Sequence, residues 1–486
     1  MKTEHSLPPP HSVGTSLLNA TSVPRLLLAP LALAAVSTVA AENWPQFRGL
    51  RGRGVSAVAA PTTWNVESRE NIRWTTDLPG LGHSSPIIWG PHLYVTTADR
   101  PGPPAKIKTG VYGAGDSYQE NEPHQWRLLC LARDTGTILW NKPGHEGVPS
   151  QERHLKASHC NSTPATDGQS IVAIFGSEGL FCFEMDGTLR WKKSLGKMDA
   201  GPWDSPKLQW SFASSPVLHE NKVIVQCDVL SEQYLAVFDA RDGRELWRTA
   251  RKEVANWCTP ALAEVGSHTQ IVVNGWKEIG GYDLATGRQR WTLSGGGDIP
   301  VPAPLIVGDW AFLTSAHGSY RPLRAVRLSA AHGDITPPEM GATNTAVAWC
   351  HPKLGSYLQT PLVLGDLLWS CDTNGILTCV HRATGEIHYS ERLIKAGQSF
   401  TSSGVAAAGH LYFANEAGEV TVVTATNQFS IVAQNRLGGL CLATPAVADG
   451  ALYFRTTEKL LSVGGRPIRE DAGGGGAARG ERTPKG

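Results

Sequence analysis

The chain has 486 residues, of which 41% are hydrophobic and 18% charged, so it can bury a large core and is not disordered throughout. Its 44 basic and 43 acidic residues give a formal net charge of +1, which excludes a chain-wide attraction to nucleic acid or anionic lipid. The composition is marked instead by 52 Gly, 32 Pro and 16 Trp. Many Gly and Pro predict many turns between short strands.

The first 41 residues have the three parts of an export signal. Lys2 and Arg25 supply positive charge, the apolar stretch LLLAPLALAAV follows, and small residues surround a cleavage site near Ala40 or Ala41. The apolar stretch is shorter than the roughly 18 residues that a spanning helix needs. The pattern therefore predicts a cleaved signal peptide over 1–41 and a periplasmic or secreted protein without a transmembrane segment after cleavage. An uncleaved anchor or an unstructured N-terminus stays open as an alternative.

From residue 85 onward one sequence pattern recurs: a small residue, a Pro, an apolar run, a turn and further apolar runs. The Pro positions recur about every 51 residues on average, a spacing close to that of propeller repeats. Runs such as VIVQCDVL are almost wholly apolar, as expected of strands that are covered on both faces. The eight positions are Pro86, Pro164, Pro216, Pro260, Pro304, Pro361, Gly404 and Pro445.

Most units end with a turn Gly that is followed four residues later by Trp, as in Gly243 with Trp247. Gly suits a hairpin turn because it adopts positive φ at little cost. A Trp at a fixed position of each unit predicts packing between neighbouring sheets, where it can bury roughly 150–250 Å². The residues assigned to this structural role are Trp74, Trp140, Trp191, Trp247, Trp291 and Trp349.

The eighth unit lacks its last strand, and the segment 71–77, which carries Trp74, can supply it. The sequence therefore predicts an all-β fold over 42–465: an eight-bladed β-propeller of four-stranded antiparallel blades, closed by an N-terminal strand. Closure removes the exposed sheet edge that an open array would leave. The Gly- and charge-rich tail 466–486 is expected to be disordered, and the protein to be a monomer.

Two segments, 281–291 (GYDLATGRQRW) and 237–247 (VFDARDGRELW), resemble the quinoprotein-type repeat A-x-D-x-x-T-G-x-x-x-W. The segment WPQFRGLRGRGVS, which starts at Trp44, is similar to exported bacterial propellers of this pyrroloquinoline-quinone-like family. The resemblance extends roughly over 43–465. The family contains quinone-dependent dehydrogenases and a non-catalytic outer-membrane assembly factor, so the resemblance implies the fold and leaves the function open.

For a dehydrogenase, the resemblance implies a disulfide between adjacent Cys residues on one face of the quinone and a Trp on the other. It also implies a calcium ion and an Asp base. None of the nine Cys residues is adjacent to another, and no CxxCH haem motif or recognisable calcium motif occurs. The sequence thus favours a non-catalytic platform that binds a small ligand or an envelope protein, and no nucleic acid. The alternatives are an oxidoreductase with pyrroloquinoline quinone (PQQ) and calcium, and a scaffold for outer-membrane protein assembly.

Residues just before the Pro positions are expected to line the funnel where the innermost strands begin. Each can instead serve only to satisfy the polar groups of neighbouring blades. A further set between the first two units is expected in a solvated loop without metal-ligand spacing, so no metal site is predicted. The funnel candidates are His83, His159, Asn161, Trp210, Asn256 and Trp257; the loop set is His145, Glu146, Glu152, His154 and His159.

Overall fold

The computed structural model describes residues 42–111 and 115–465. The predicted signal peptide 1–41 and the predicted disordered tail 466–486 lie outside the described residues. Within the described ranges, no helix is long and apolar enough to cross a membrane. The helical segments there are three short 3₁₀ turns at Leu50–Gly52, Gly176–Glu178 and Leu328–Ala330.

Thirty-two of the strands form eight four-stranded antiparallel sheets, here called blades 1 to 8 in the order of their first strands. Blade 1 contains Ile87–Trp89, His92–Asp99, His124–Ala132 and Ile138–Gly147. Blade 2 contains Ala165–Thr166, Ser170–Ile174, Leu180–Glu184 and Leu189–Lys193. Blade 3 contains Val217–His219, Lys222–Asp228, Gln233–Asp239 and Glu245–Ala250. Blade 4 contains Ala261–Val265, His268–Val273, Ile279–Asp283 and Gln289–Leu293.

The remaining blades confirm the predicted eight-bladed propeller. Blade 5 contains Leu305–Val307, Trp310–Thr314, Leu323–Arg327 and Val347–His351. Blade 6 contains Leu362–Leu364, Leu367–Cys371, Ile376–His381 and Ile387–Arg392. Blade 7 contains Val405–Ala407, His410–Ala414, Glu419–Thr424 and Ile431–Arg436. Blade 8 contains Ala446–Ala448, Ala451–Arg455, Lys459–Val463 and Ile72–Asp77.

Four short strands lie outside this pattern. Val55–Ser56 pairs in parallel with the first strand of blade 7, and Gly333–Asp334 pairs in parallel with the fourth strand of blade 4. Ser117–Tyr118 and Arg153–His154 form a separate antiparallel ribbon. This ribbon belongs to insertions within and after blade 1.

The first strand of each blade lies innermost. The first strand of blade 1, Ile87–Trp89, contacts the first strands of blades 2 and 8, which are its two neighbours around the ring. The fourth strands are the most exposed, and Ile138–Gly147 contains no fully buried residue. The positions before each first strand therefore face the axis of the propeller.

Blade 8 combines the two ends of the described chain and closes the ring. Its fourth strand, Ile72–Asp77, runs antiparallel to Lys459–Val463, with Trp74 opposite Ser462 and Thr75 opposite Leu461. This pairing confirms the predicted closure by an N-terminal strand. It leaves no blade with an unpaired third strand.

The seams between blades explain why Trp and turn Gly recur together. Trp247 of blade 3 donates from Nε1 to the carbonyl oxygen of Leu284 in blade 4 at 3.0 Å. A Cβ atom on Gly287, the turn residue of blade 4, would lie 2.5 Å from the Trp247 ring. Gly287 is thus needed for two reasons: its φ is +72°, and a side chain there would collide with the Trp ring of the preceding blade.

Blade 5 interrupts this pattern because its last two strands are joined by a long connection instead of a Gly turn. Trp291 of blade 4 consequently bonds within its own blade, from Nε1 to Oε1 of Gln270 at 3.1 Å. The short strand Gly333–Asp334 from that connection pairs beside Trp291. The same residue type at the same repeat position therefore makes two different sets of contacts.

The segment 44–56, here called the plug, crosses the axial channel. Trp44 pairs with Ile88 of blade 1, Leu50–Gly52 contacts the first strands of blades 4 and 5, and Val55–Ser56 reaches blade 7. Arg48 is buried within the plug and donates from its guanidinium to three carbonyl oxygens of blades 6 and 7. The acceptors are those of Thr360, Pro361 and Gly404.

Candidate functional site

A cavity of about 210 Å³, here called the axial cavity, opens where the first strands begin. Phe47 of the plug lines it, as do residues from all eight blades. The side chains of an extended chain alternate in direction, so residues two apart face the same way. Two positions in every blade except blade 5 line the cavity: the residue before the recurring Pro (or before Gly404 in blade 7) and the residue two positions earlier.

The position before the Pro forms the lower ring, which carries a hydroxyl in every blade except blade 5. There the residue is Ala303, which is not among those that line the cavity. The hydroxyl-bearing members, which all line it, are Ser85, Thr163, Ser215, Thr259, Thr360, Ser403 and Thr444.

The position two residues earlier forms the upper ring, which differs from blade to blade. Three of its members are polar and lie in blades 7, 1 and 2, whereas blades 3 to 6 contribute only apolar side chains. Tyr357 and Ile299 extend the apolar side. The members, from blade 1 to blade 8, are His83, Asn161, Ala213, Trp257, Val301, Leu358, Thr401 and Leu442.

Hydrogen bonds between neighbouring blades hold the lower ring. The backbone N–H of Ser85 donates to Oγ1 of Thr163 at 2.9 Å, and the N–H of Thr163 donates to Oγ of Ser215 at 2.9 Å. Four further bonds of the same kind accept at Thr259, Thr360, Ser403 and Thr444. Each of these six hydroxyls uses its oxygen as an acceptor and donates its own proton to no described protein atom.

The insertions of blade 1 reach over the cavity to blade 7. Lys156, which lines the cavity, places Nζ 2.7 Å from Oε1 of Glu416. The N–H of Gly110 donates to the other carboxylate oxygen at 2.6 Å, and the hydroxyl of Thr401 donates to Oε1. Burial lowers the pKa of Lys156, although Glu416 opposes that shift. The pair is neutral as a whole and fixes the insertion above the cavity.

Four of the six funnel candidates line the axial cavity: His83, Asn161, Trp210 and Trp257. Trp210 stacks on the imidazole of His154, with ring centroids 3.7 Å apart, and Trp257 donates from Nε1 to the carbonyl oxygen of Ser211. The imidazole of His83 makes a 3.1 Å hydrogen bond with the carbonyl oxygen of Lys156. The pKa of His83 is lowered to about 3, first by burial and then by the charges of Arg455, Arg153 and Lys156.

Asn256 and His159 lie elsewhere. Asn256 lies three residues before Thr259, the lower-ring residue of blade 4, and its side chain is buried against blade 3. Its Nδ2 donates to Asp228 at 2.7 Å, and Arg251 donates to the same carboxylate at 3.0 Å. This is a satisfied network within the fold.

His159 belongs to the side cluster, defined here as Glu120, His124, Arg153 and His159. Arg153 and His159 lie 2.8 and 3.0 Å from Oε2 of Glu120, and Nε2 of His124 lies 3.5 Å away. These bonds lower the pKa of Glu120, although burial opposes them as the largest single influence. Burial lowers the pKa of His159, whereas Glu120 opposes that shift.

The ligand atoms of Glu120, His124 and His159 lie within 4.8 Å of one another, close enough to share a metal ion. However, the same carboxylate already pairs with Arg153, and Arg100 lies 3.5 Å from its other oxygen. A divalent cation here would face two guanidinium groups across one carboxylate. The predicted absence of a metal site stays a prediction.

The expected solvated loop is wrong for four of its five members, because His145 and Glu146 lie in the fourth strand of blade 1 and two others are buried. His154 is fully buried against Trp210, and His159 is 3% exposed within the side cluster. The reason is the ribbon of Ser117–Tyr118 with Arg153–His154, which orders both insertions. Sequence reasoning missed Lys156 and Glu120, which carry no repeat signal. It also treated the lower-ring residues as markers of the repeat alone, although their common position before Pro was visible.

The geometry defines an eight-bladed propeller of the quinoprotein type with a cavity on its axis. A sequence profile of the family described as outer membrane protein assembly factor BamB matches residues 124–391, more than half of the chain, and the chain belongs to this family. No curated protein matches the chain in sequence.

Solved structures show the same fold at low sequence identity. BamB from Moraxella catarrhalis is 14% identical, with 75% of this chain and 98% of that chain covered and a TM-score of 0.51. A quinohemoprotein alcohol dehydrogenase from Comamonas testosteroni is 10% identical, with 91% and 82% covered and a TM-score of 0.55. A europium-containing methanol dehydrogenase is 11% identical, with 85% and 89% covered and a TM-score of 0.54. These similarities show the fold alone.

The residues of the axial cavity fit PQQ with calcium only in part. Trp210 and Trp257 supply aromatic side chains of the kind that pack on a flat ring. The described residues that line the cavity include no Asp or Glu, whereas calcium is held by oxygen ligands among which carboxylates are prominent. The sequence also has no adjacent Cys pair. The lining therefore does not fit the calcium that a quinone of this kind would need, and no catalytic step is derived through it.

Proposed function

We propose that this protein is a non-catalytic propeller that binds a small molecule in its axial cavity. The observation that carries the proposal is the convergence on that cavity of the same two positions from seven blades and of one position from blade 5. The lower ring is nearly uniform, while the upper ring varies. A uniform ring stabilises the fold, and a varied ring above it supplies the different contacts that recognition of one ligand requires.

The division of the upper ring supports a ligand with one apolar face and one polar edge. Trp257, Val301 and Leu358 present apolar surface from blades 4 to 6. His83 and Asn161 present polar groups from blades 1 and 2. A ligand that matched both sides would bury apolar area and keep its polar groups hydrogen-bonded.

The chemistry of the lining supports binding over catalysis. A general base works best when its pKa lies near the working pH. His83 has a pKa lowered to about 3, so its imidazole is a weak base at neutral pH. The described lining offers no carboxylate to act in its place.

Mass spectrometry of the intact protein from its host, under non-denaturing conditions, tests ligand binding without a choice of ligand. We expect an added small-molecule mass on the wild type and none on Ala213→Trp, which fills the upper ring. Ala285→Trp, at an exposed turn of blade 4, is the matched control and should retain the added mass. An added mass on all three proteins, or on none of them, would contradict the proposal.

Catalysis is tested separately by dye reduction with PQQ, calcium, and a set of alcohols and sugars. We expect no turnover. Calcium-dependent turnover would replace this proposal with the quinone-dependent oxidoreductase. A role as an assembly scaffold, which family membership also suggests, predicts instead that Ala213→Trp leaves function in the envelope intact.

We also propose that the protein is exported, because of the three-part leader in its first 41 residues. Sequencing of the N-terminus of protein from the host should start near Ala41 or Glu42. Retention of the leader would reject cleavage.

A further inference from the structure

The lower ring holds more hydroxyl protons than the fold uses. Six of its hydroxyls accept a backbone N–H from the preceding blade, and none of the six donates to a described protein atom. Ser85 differs again, because its Oγ has no hydrogen-bond partner of either kind among the described residues and its side chain lines the cavity while being 2% exposed. The side chain of Ser85 lines the cavity, so its hydroxyl can donate to a ligand there without giving up a hydrogen bond within the fold.

We propose that the lower ring binds the anionic group of the ligand, such as a carboxylate, and that the apolar part of the ligand lies against blades 3 to 6. This inference rests on the proposed function and specifies its ligand class. A ring of O–H donors around one axis suits an acceptor with several lone pairs, and hydrogen bonds to a charged acceptor are the stronger kind.

Two buried arginines place positive charge beside the lower ring. Arg48 bonds the carbonyl oxygen of Thr360, a ring member, at 3.2 Å. Arg455 bonds the carbonyl oxygen of Ser84, next to Ser85, at 3.1 Å. Neither forms an ion pair with a described carboxylate, and burial lowers their pKa values to about 9 and about 10. Both stay protonated at neutral pH and lack a counter-charge.

The other charges near the cavity do not cancel this field. Lys156 and Glu416 neutralise one another, and Arg153 pairs with Glu120 in the side cluster. Arg455, which has no such partner among the described residues, contributes after burial to the lowered pKa of His83. An anion on the ring would therefore meet donors and positive potential without a competing acidic side chain in the described lining.

Benzoate and benzamide test the assignment, because they share a ring and differ in charge. Isothermal titration of the purified full chain at pH 7 should show benzoate binding at least about tenfold more tightly than benzamide. Ser85→Ala should weaken benzoate binding by about tenfold and leave benzamide binding unchanged. Ser85→Thr retains the hydroxyl and should bind benzoate like the wild type.

Each of the other possible results of this titration contradicts a different part of the proposal. Benzamide binding as tight as benzoate would reject the anion and leave the proposed function standing. If benzoate binds more tightly than benzamide but Ser85→Ala does not weaken it, the anion binds somewhere other than the lower ring. No binding of either probe at millimolar concentration would reject the anion assignment, while the mass measurement above still decides whether a ligand occupies the cavity. Urea denaturation of Ser85→Ala excludes misfolding as the cause of any loss.

Discussion

The axial cavity and the side cluster both contain buried basic residues, but they balance charge in opposite ways. In the side cluster, Arg153 lies 2.8 Å from Glu120, so the fold contains the counter-ion. Beside the axial cavity, Arg48 and Arg455 bond only neutral oxygens among the described residues. A region that completes its own ion pairs has a structural role, whereas one that leaves positive charge beside a cavity can attract an anion.

The contrast follows from where each group lies in the chain. Glu120 and Arg153 come from two insertions that the short ribbon joins, so they can adjust to one another. Arg48 is in the plug and Arg455 is in the second strand of blade 8, where the surrounding backbone offers carbonyl oxygens. Carbonyl groups satisfy guanidinium protons without cancelling the charge.

Removal of the acid from the side cluster should have the largest effect. Glu120→Gln leaves Arg153 buried without a counter-ion, and we expect a loss of about 3–5 kcal/mol in the free energy of unfolding. Urea denaturation at pH 7 measures it. Glu122→Gln changes an exposed acid two residues away and should stay within about 0.5 kcal/mol of the wild type. Equal results for both variants would mean that the ion pair is not structural.

Removal of an arginine beside the axial cavity should cost less. Arg455→Met takes away donors from the carbonyl oxygens of Ser84 and Thr96 but also removes an unpaired buried charge. We expect a loss of about 1–3 kcal/mol by urea denaturation. A loss as large as that of Glu120→Gln would show that the two regions do not differ as described.

The two regions should also differ in how they contribute to the loss of stability at low pH. The folded pKa of His83 lies below its ordinary value, so the unfolded chain binds the proton first and stability falls as pH falls below about 6.5. Arg455, Arg153 and Lys156 all face this imidazole with positive charge. In His83→Asn, we expect the stability loss between pH 6.5 and 4.5 to be smaller by about 1–2 kcal/mol.

His159 in the side cluster provides the comparison for that pH series. Burial lowers its pKa too, but Glu120 acts in the opposite direction. His159→Asn should therefore reduce the pH dependence of the free energy of unfolding less than His83→Asn does. Urea denaturation of both variants at several pH values measures the two effects. A larger effect of His159→Asn than of His83→Asn would contradict this prediction.

The repeats allowed the fold to be predicted because each signal is local and recurs eight times. The recurring spacing of Gly243 and Trp247 within one unit indicated that Trp packs between blades, and the ring of Trp247 indeed lies against Gly287 of the next blade. Trp74 indicated closure because the eighth unit lacked that strand. Such features need only the periodicity of strands and turns.

The site could be predicted only where it follows the same periodicity. His83, Asn161 and Trp257 lie two residues before the lower ring and face the cavity, while Asn256 lies three before it and faces the blade. Alternation separates these residues, but it fails in blade 6, where Tyr357 lies three residues before Thr360 and also lines the cavity. Glu120 and His159 could not be paired from sequence, because the insertions that bring them together have no counterpart in the other blades.

The smallest expected effect concerns two serines of the lower ring in the absence of ligand. Ser403 accepts the backbone N–H of Thr360 at 3.0 Å, so Ser403→Ala leaves a buried donor unsatisfied and should cost about 1–2 kcal/mol. Ser85 accepts no such bond, and Ser85→Ala should change the unfolding free energy by less than about 0.5 kcal/mol. Urea denaturation of both variants compares them directly. If Ser85→Ala costs as much as Ser403→Ala, the hydroxyl of Ser85 stabilises the fold itself, and its proton is no longer a reason to place an anion on the ring.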